Sequence, residues 1–219
     1  MKKINAKERK AARTNVPDAI SERAYNGILG CTILYGFVVN ALMVLFTKTL
    51  VAAIHPVAFL IGYFVCGIAG VIIAFKSSKP GISFLGYNLI VVPIGVLLTI
   101  LLPSYDASQI LLAAMLTGAV TLIMMLLTVS FPHFFAKLGW TLFWSLLIGV
   151  IVEISASLLG YRGDIFNWLF VVIFSLYIGY DWHRAQNYSK TVDNAIDSAI
   201  DLYLDIVNLF LRILDLLDN

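Results

Sequence analysis

In IFSLYIGYDWHRAQNYSKTVDNAIDSAIDLYLDIVN, residues 173–208, an apolar segment ends near Asp181 and passes through the polar run NYSKTVDN into a second segment. That second segment carries aspartates at Asp193, Asp197, Asp201 and Asp205. Steps of four keep such residues along one helix face. A carboxylate set in hydrophobic sequence is costly to desolvate, so acids kept there mark a site of function.

The surroundings are a membrane protein's. Of 219 residues, 60% are hydrophobic and 13% charged, against roughly 25% charged in soluble domains. Apolar segments fall at about 26–46, 53–75, 82–102, 108–130, 138–159 and 164–186, with a seventh at about 194–217. Each is long enough to cross ~30 Å of hydrocarbon at 1.5 Å per residue. The expected fold is therefore an all-α polytopic membrane protein with seven transmembrane helices. Residues 1–24 form a basic cytoplasmic tail, and 25–219 form a single membrane domain. No cleavable signal is expected, because the first apolar run lacks a small-residue cleavage site.

Charge sets the expected orientation. Lys2, Lys3, Lys7, Arg9, Lys10, Arg13 and Arg23 precede the first span, and Lys76, Lys79, Lys137, Arg184 and Lys190 fall in loops on the same side. The opposite side has Lys48 and Arg162. This asymmetry places the N-terminus in the cytoplasm of a multi-pass protein of the cell membrane. The C-terminus then lies outside, unless the last helix is re-entrant and returns. A net charge of +2 gives no reason to expect a nucleic-acid partner. Cys31 and Cys66 lie inside spans without disulfide or metal spacing and read as small core residues.

Asp193 lies midway between Asp181 and Asp205. If the polar run is the turn of a helical hairpin, each outer aspartate is about a dozen residues, or roughly 18 Å, from it. The two then share a depth and can face one another. Two carboxylates in one low-dielectric site cannot both ionise cheaply, so near neutral pH such a pair holds one proton between its oxygens. The pair is also a candidate transient Ca²⁺ ligand, completed by water or carbonyl oxygens because two acids are too few for a closed site.

Asp193, Asp197, Asp201, Asp205, Asn208, Arg212 and Asp215 continue at three- or four-residue steps through an otherwise apolar helix. Such a stripe faces water, polar partners or a pore. One reading lays this helix on the membrane surface; the other, which we favour because surface helices meet anionic lipid with Lys and Arg, buries it among the other six. Asp197, Asp201, Asn208 and Glu153 are candidate ion-path residues, and His183 and Arg212 are candidate modulators. Glu153 either extends the acidic path outward from Asp205 or is a protonated structural residue bonded to a neighbouring helix. His55, His133 and His183 sit at segment ends. Asp106 and Asp164 belong to outer loops and read as solvated. Pro93 predicts a kink, with Tyr87 and Asn88 placed to serve freed backbone groups. Gly62, Gly67, Gly70, Ala113, Ala114 and Gly118 are small enough for close helix approach.

FSLYIGYD at 174–181 and LYLDIVNLFLRIL at 202–214 resemble the terminal signature of the Bax inhibitor family, the transmembrane Bax-inhibitor-motif proteins, and its bacterial branch in particular. LLAAMLTGAV at 111–120 and FFAKLGWTLF at 134–143 are similar to weaker versions of the family's pattern. The likeness covers 108–214 through motifs and the first three segments by hydropathy alone. It implies six helices around a central seventh, and a pH-sensing pair matching Asp181 and Asp205 in a calcium leak. Relatives can carry an acid in the second helix and an arginine at its cytoplasmic end. Here the second segment has neither, and Lys76 and Lys79 are the nearest bases. Asp201 is a further carboxylate one turn before Asp205.

The expectation is a pH-sensitive calcium leak channel of the cytoplasmic membrane, with no enzymatic step and no resident cofactor. Its partners are the bilayer, calcium and protons. Alternatives are a non-conducting regulator bound to another membrane protein, such as a protease or cell-death factor, and a cation/proton exchanger. An intramembrane aspartyl protease needs two facing aspartates as well, but its GxGD motif is missing.

Overall fold

A computed structural model describes residues 18–161 and 163–218. The tail bases through Arg13, and Arg162, lie outside them. Every regular element among the described residues is helical: α1 (Glu22–Phe46), α2 (Lys48–Ala52), α3 (Pro56–Lys76), α4 (Pro80–Leu101), α5 (Ala107–Ser130), α6 (Pro132–Phe135), α7 (Gly139–Leu158), α8 (Ile165–Asn187) and α9 (Val192–Leu217). A 3₁₀ turn, Leu102–Ser104, extends α4.

The helix boundaries follow local chemistry. Ser21 accepts the Ala24 N–H at 3.2 Å and starts α1, within the stretch expected as tail. His55 accepts the Val57 N–H at 3.3 Å with Pro56 at the first helical position. Asp106 is exposed in a connection, as expected, and also forms a capping box with Gln109, whose side chain accepts the Asp106 N–H at 2.8 Å. Gly160, at φ +82°, follows α7 in the left-handed conformation glycine tolerates.

Among the described residues six helices are long and apolar enough to cross a membrane: α1, α3, α4 with its 3₁₀ extension, α5, α7 and α8. They expose large apolar side chains, including Leu126 at 69% and Ile165 at 66%, which suits hydrocarbon and not water. α9 has 26 residues, enough length to span, but its five aspartates and Arg212 are more charge than a span recognisable by composition carries. Every residue from 191 to 214 is buried or half-buried. Seven long helices thus form where seven segments were expected, and six of them qualify as spans on composition.

The chain divides into two compact units. Within the described residues, one comprises 18–96 with 187–200. There α1 and α4 are tied by Tyr87, which donates to the Thr32 carbonyl at 2.9 Å, and by Tyr35, which donates to Asn88 Oδ1 at 2.8 Å. Asn88 donates to Phe84 O within α4. The side chains expected to serve the Pro93 kink are therefore used largely to join helices. Gly70 and Gly86 let α3 and α4 approach backbone to backbone: a Cβ on Gly70 would lie 2.6 Å from Gly86 O. Gly62, Gly67 and Gly118 have open space instead, so only Gly70 of the expected glycines is a packing requirement. Cys31 is exposed and Cys66 half-exposed, which corrects the expectation of core positions: α1 turns its Cys31 edge outward.

The other unit comprises 97–186 with 201–218. Phe135 of α6 packs on Gly179 of α8, and Phe170 of α8 lies 3.2 Å from where a Cβ on Gly149 of α7 would be. Thr128 of α5 donates to Gly179 O at 3.1 Å. Thr117, Thr121 and Thr128 each donate to the carbonyl four residues back, which satisfies their hydroxyls inside an apolar helix.

Candidate functional site

The second unit brings Asp181 and Asp205 together. Asp181 follows the Gly179 step that admits Phe135, and Asp205 lies on α9; each is 7% exposed. Their carboxyls are within hydrogen-bonding reach of each other. Asp205 Oδ2 is buried without a hydrogen-bond partner. Ionised carboxylates only accept, so a proton or a cation would have to supply what this pair lacks.

Arg184, one turn beyond Asp181, donates to Asp181 Oδ1 at 2.7 Å and lies 3.6 Å from Asp201 Oδ2. The guanidinium also sits 5.4 Å from the centroid of the Tyr180 ring. Tyr177, one turn before Asp181, is within electrostatic range of both aspartates. Arg184 was expected as a loop charge. Its i+3 spacing from Asp181 was the available signal. His183 has His133 as its nearby charge partner, and the cation on Asp181 is Arg184. The connection between α8 and α9 is residues 188–191, so Asp193 lies in the first turn of α9 and not in the turn of the hairpin.

Glu153 and Arg212 form a second cluster. Arg212 donates to both Glu153 oxygens, one at 2.8 Å, and to Asn167 Oδ1 at 3.0 Å. Asn167 in turn donates to Asp215. The guanidinium lies 4.2 Å over the Phe170 ring. Glu153 is thus ion-paired to the last helix, the bonded alternative of its two readings but with an arginine as the partner. Asn208 donates to Leu204 O of its own helix at 2.8 Å. Asn167 and Asp215 as members of this network were not anticipated.

Asp197 belongs to the other unit, with Asp193 and Ser83 nearby. Ser83 donates to Asp193 Oδ1 at 2.7 Å, and Tyr25 shares a 2.9 Å hydrogen bond with Ser198. Asp197 Oδ1 is buried without a partner. Among the described residues no group of three or more His, Cys, Asp or Glu is placed to hold a metal ion.

Six apolar helices and a buried carboxylate pair on α8 and α9 define a multi-pass membrane protein with a titratable site inside its helical body. The chain belongs to the Bax inhibitor family: the family described as inhibitor of apoptosis-promoting Bax1 matches residues 20–219. It is 30% identical over 152 residues to an uncharacterized protein of Helicobacter pylori strain ATCC 700392 / 26695, covering 65% of this chain and 64% of that one. It is 31% identical over 121 residues to a Golgi anti-apoptotic protein of Vaccinia virus strain Lister, covering 52% of this chain and 48% of that one. These matches span less than two thirds of either relative's length.

Proposed function

We propose that this protein is a pH-sensitive calcium leak in which protonation of the Asp181 and Asp205 pair gates passage. The observation that carries the reading is the facing pair itself: two buried carboxyls, one oxygen without a donor, and a single guanidinium on Asp181. A shared proton supplies the missing hydrogen bond and holds α8 to α9. Its loss leaves two like charges in contact, which separates the helices and presents carboxylate oxygens to a cation. Asp201 adds a third carboxylate at the same arginine.

In this reading α9 is the seventh span, enclosed by the others, in a cell membrane with the N-terminus in the cytoplasm. Asp181 and Asp205 are transient calcium ligands; calcium and protons are cargo, and the protein has no catalytic step and no resident cofactor. The test is calcium flux into dye-loaded liposomes from about pH 5 to about pH 8 for the wild type, Asp181→Asn and Asp205→Asn. Flux should rise with pH in the wild type and lose that dependence in both variants. A wild type that passes no calcium anywhere in this range overturns the leak. That outcome would favour the regulator that binds another membrane protein, to which the anti-apoptotic name of the viral relative lends support.

A further inference from the structure

On the surface of the second unit, Lys137, Gly139, Trp140, Phe143 and Tyr180 line a cleft of about 430 Å³ with Ala136. Its walls are of two kinds. Trp140 is 73% exposed and stacks on Trp144 with ring centroids 6.4 Å apart, while Phe143 meets both edge-on. Exposed aromatic rings gathered at the start of a spanning helix suit the headgroup level of a bilayer. The polar wall is cationic. Lys137 is exposed beside the cleft. Leu138, at the N-cap of α7, has no side-chain acceptor to offer the first-turn N–H groups. Tyr180 completes the lining; the Arg184 guanidinium near its ring is engaged by Asp181 and adds no free charge to the cleft.

The floor is closely fitted: a Cβ on Gly139 would fall 2.5 Å from the Tyr180 hydroxyl. Among the residues that line the cleft, Lys137 is the charged one.

We propose that this cleft binds the headgroup of an anionic phospholipid. The phosphate sits between the Lys137 ammonium and the first turn of α7, and the acyl chains run along Phe143 and Trp144. Charge complementarity selects the occupant. An anionic lipid carries the phosphate that the ammonium and N–H groups can satisfy, and it lacks the choline cation that Lys137 would repel.

Of the protein's four tryptophans, Trp140 lines the cleft and Trp144 stacks on it, which makes fluorescence quenching a direct readout. The full chain is reconstituted in phosphatidylcholine vesicles doped with either dibrominated phosphatidylglycerol or dibrominated phosphatidylcholine. The brominated anionic lipid should quench more strongly, and the excess should fall in Trp140→Phe. Lys137→Gln should weaken the apparent affinity for it about fivefold, Lys137→Arg should restore it, and Lys190→Gln, as a cation of the other unit, should leave it intact. Equal quenching by the two lipids overturns the proposal. So does an excess that Lys137→Gln leaves unchanged, since the attraction would then belong to the chain's overall charge.

Discussion

Near Asp181, three acids, Asp181, Asp201 and Asp205, share the one guanidinium of Arg184. Near Glu153, Arg212 pairs with that one acid, and Asn167 links it to a second by accepting from Arg212 and donating to Asp215. Both clusters draw on α8 and α9 and use the same residue types. One leaves a buried carboxylate oxygen without a donor, whereas the other gives each acid one. Charge left uncompensated in a low-dielectric interior has to exchange a proton or an ion, while charge compensated by a bidentate arginine fixes helices in place. On the function proposed above, the first cluster is the one that changes state, while the second holds.

Removing the arginine of the second cluster should have the largest effect. Arg212→Ala leaves Glu153 without its cation and should lower stability by about 3 kcal/mol; side-chain exposures of 25% and 28% keep it at the lower end for buried pairs. Arg212→Met with Glu153→Leu, which removes both charges, should recover most of that loss. Thermal unfolding in detergent measures both, and an Arg212→Ala protein as stable as wild type would show that this cluster does not clamp.

Arg184→Ala should cost less, about 1 kcal/mol near neutral pH, because a guanidinium 35% exposed is partly screened by solvent. The deficit should shrink on acidification, since a protonated carboxyl has no charge for the guanidinium to compensate. Melts at neutral and acidic pH test this, and a deficit that grows on acidification would contradict it.

The aspartates sharpen the contrast by sign. Asp215→Asn should destabilise by about 0.5–1 kcal/mol as its charge-assisted bond weakens. Asp205→Asn should be neutral or slightly stabilising, because the amide brings the donor that the facing carboxyl lacks. If both changes destabilise equally, the two clusters do not differ in the way argued. Smallest of all, Asn208→Ala should stay within about 0.5 kcal/mol, as that side chain donates to Leu204 O of its own helix.

The long helices were legible because uninterrupted apolar runs leave the backbone no alternative to internal hydrogen bonding. Their ends were less so: Ser21 and Asp106 cap through side-chain geometry that composition does not reveal. Asp181 and Asp205 were singled out because an acid in an apolar helix is conspicuous at any depth. Arg184 was overlooked because a base near a segment end reads as an orientation charge, although the segment already ran past it and its i+3 spacing from Asp181 puts the two on one helix face. Gly62 and Gly70 are indistinguishable in sequence, yet only Gly70 faces another backbone.

The sequence by itself determined that this is a multi-pass helical protein with acids inside it, because hydropathy and charge are properties of the chain alone. Tertiary structure decided which acid meets which cation. Glu153 and Arg212 are 59 residues apart and Asp181 and Arg184 three, and the partner of each follows from which helix faces turn toward one another. Rotation about a helix axis changes neither length nor hydropathy, so no pattern along the chain encodes it directly.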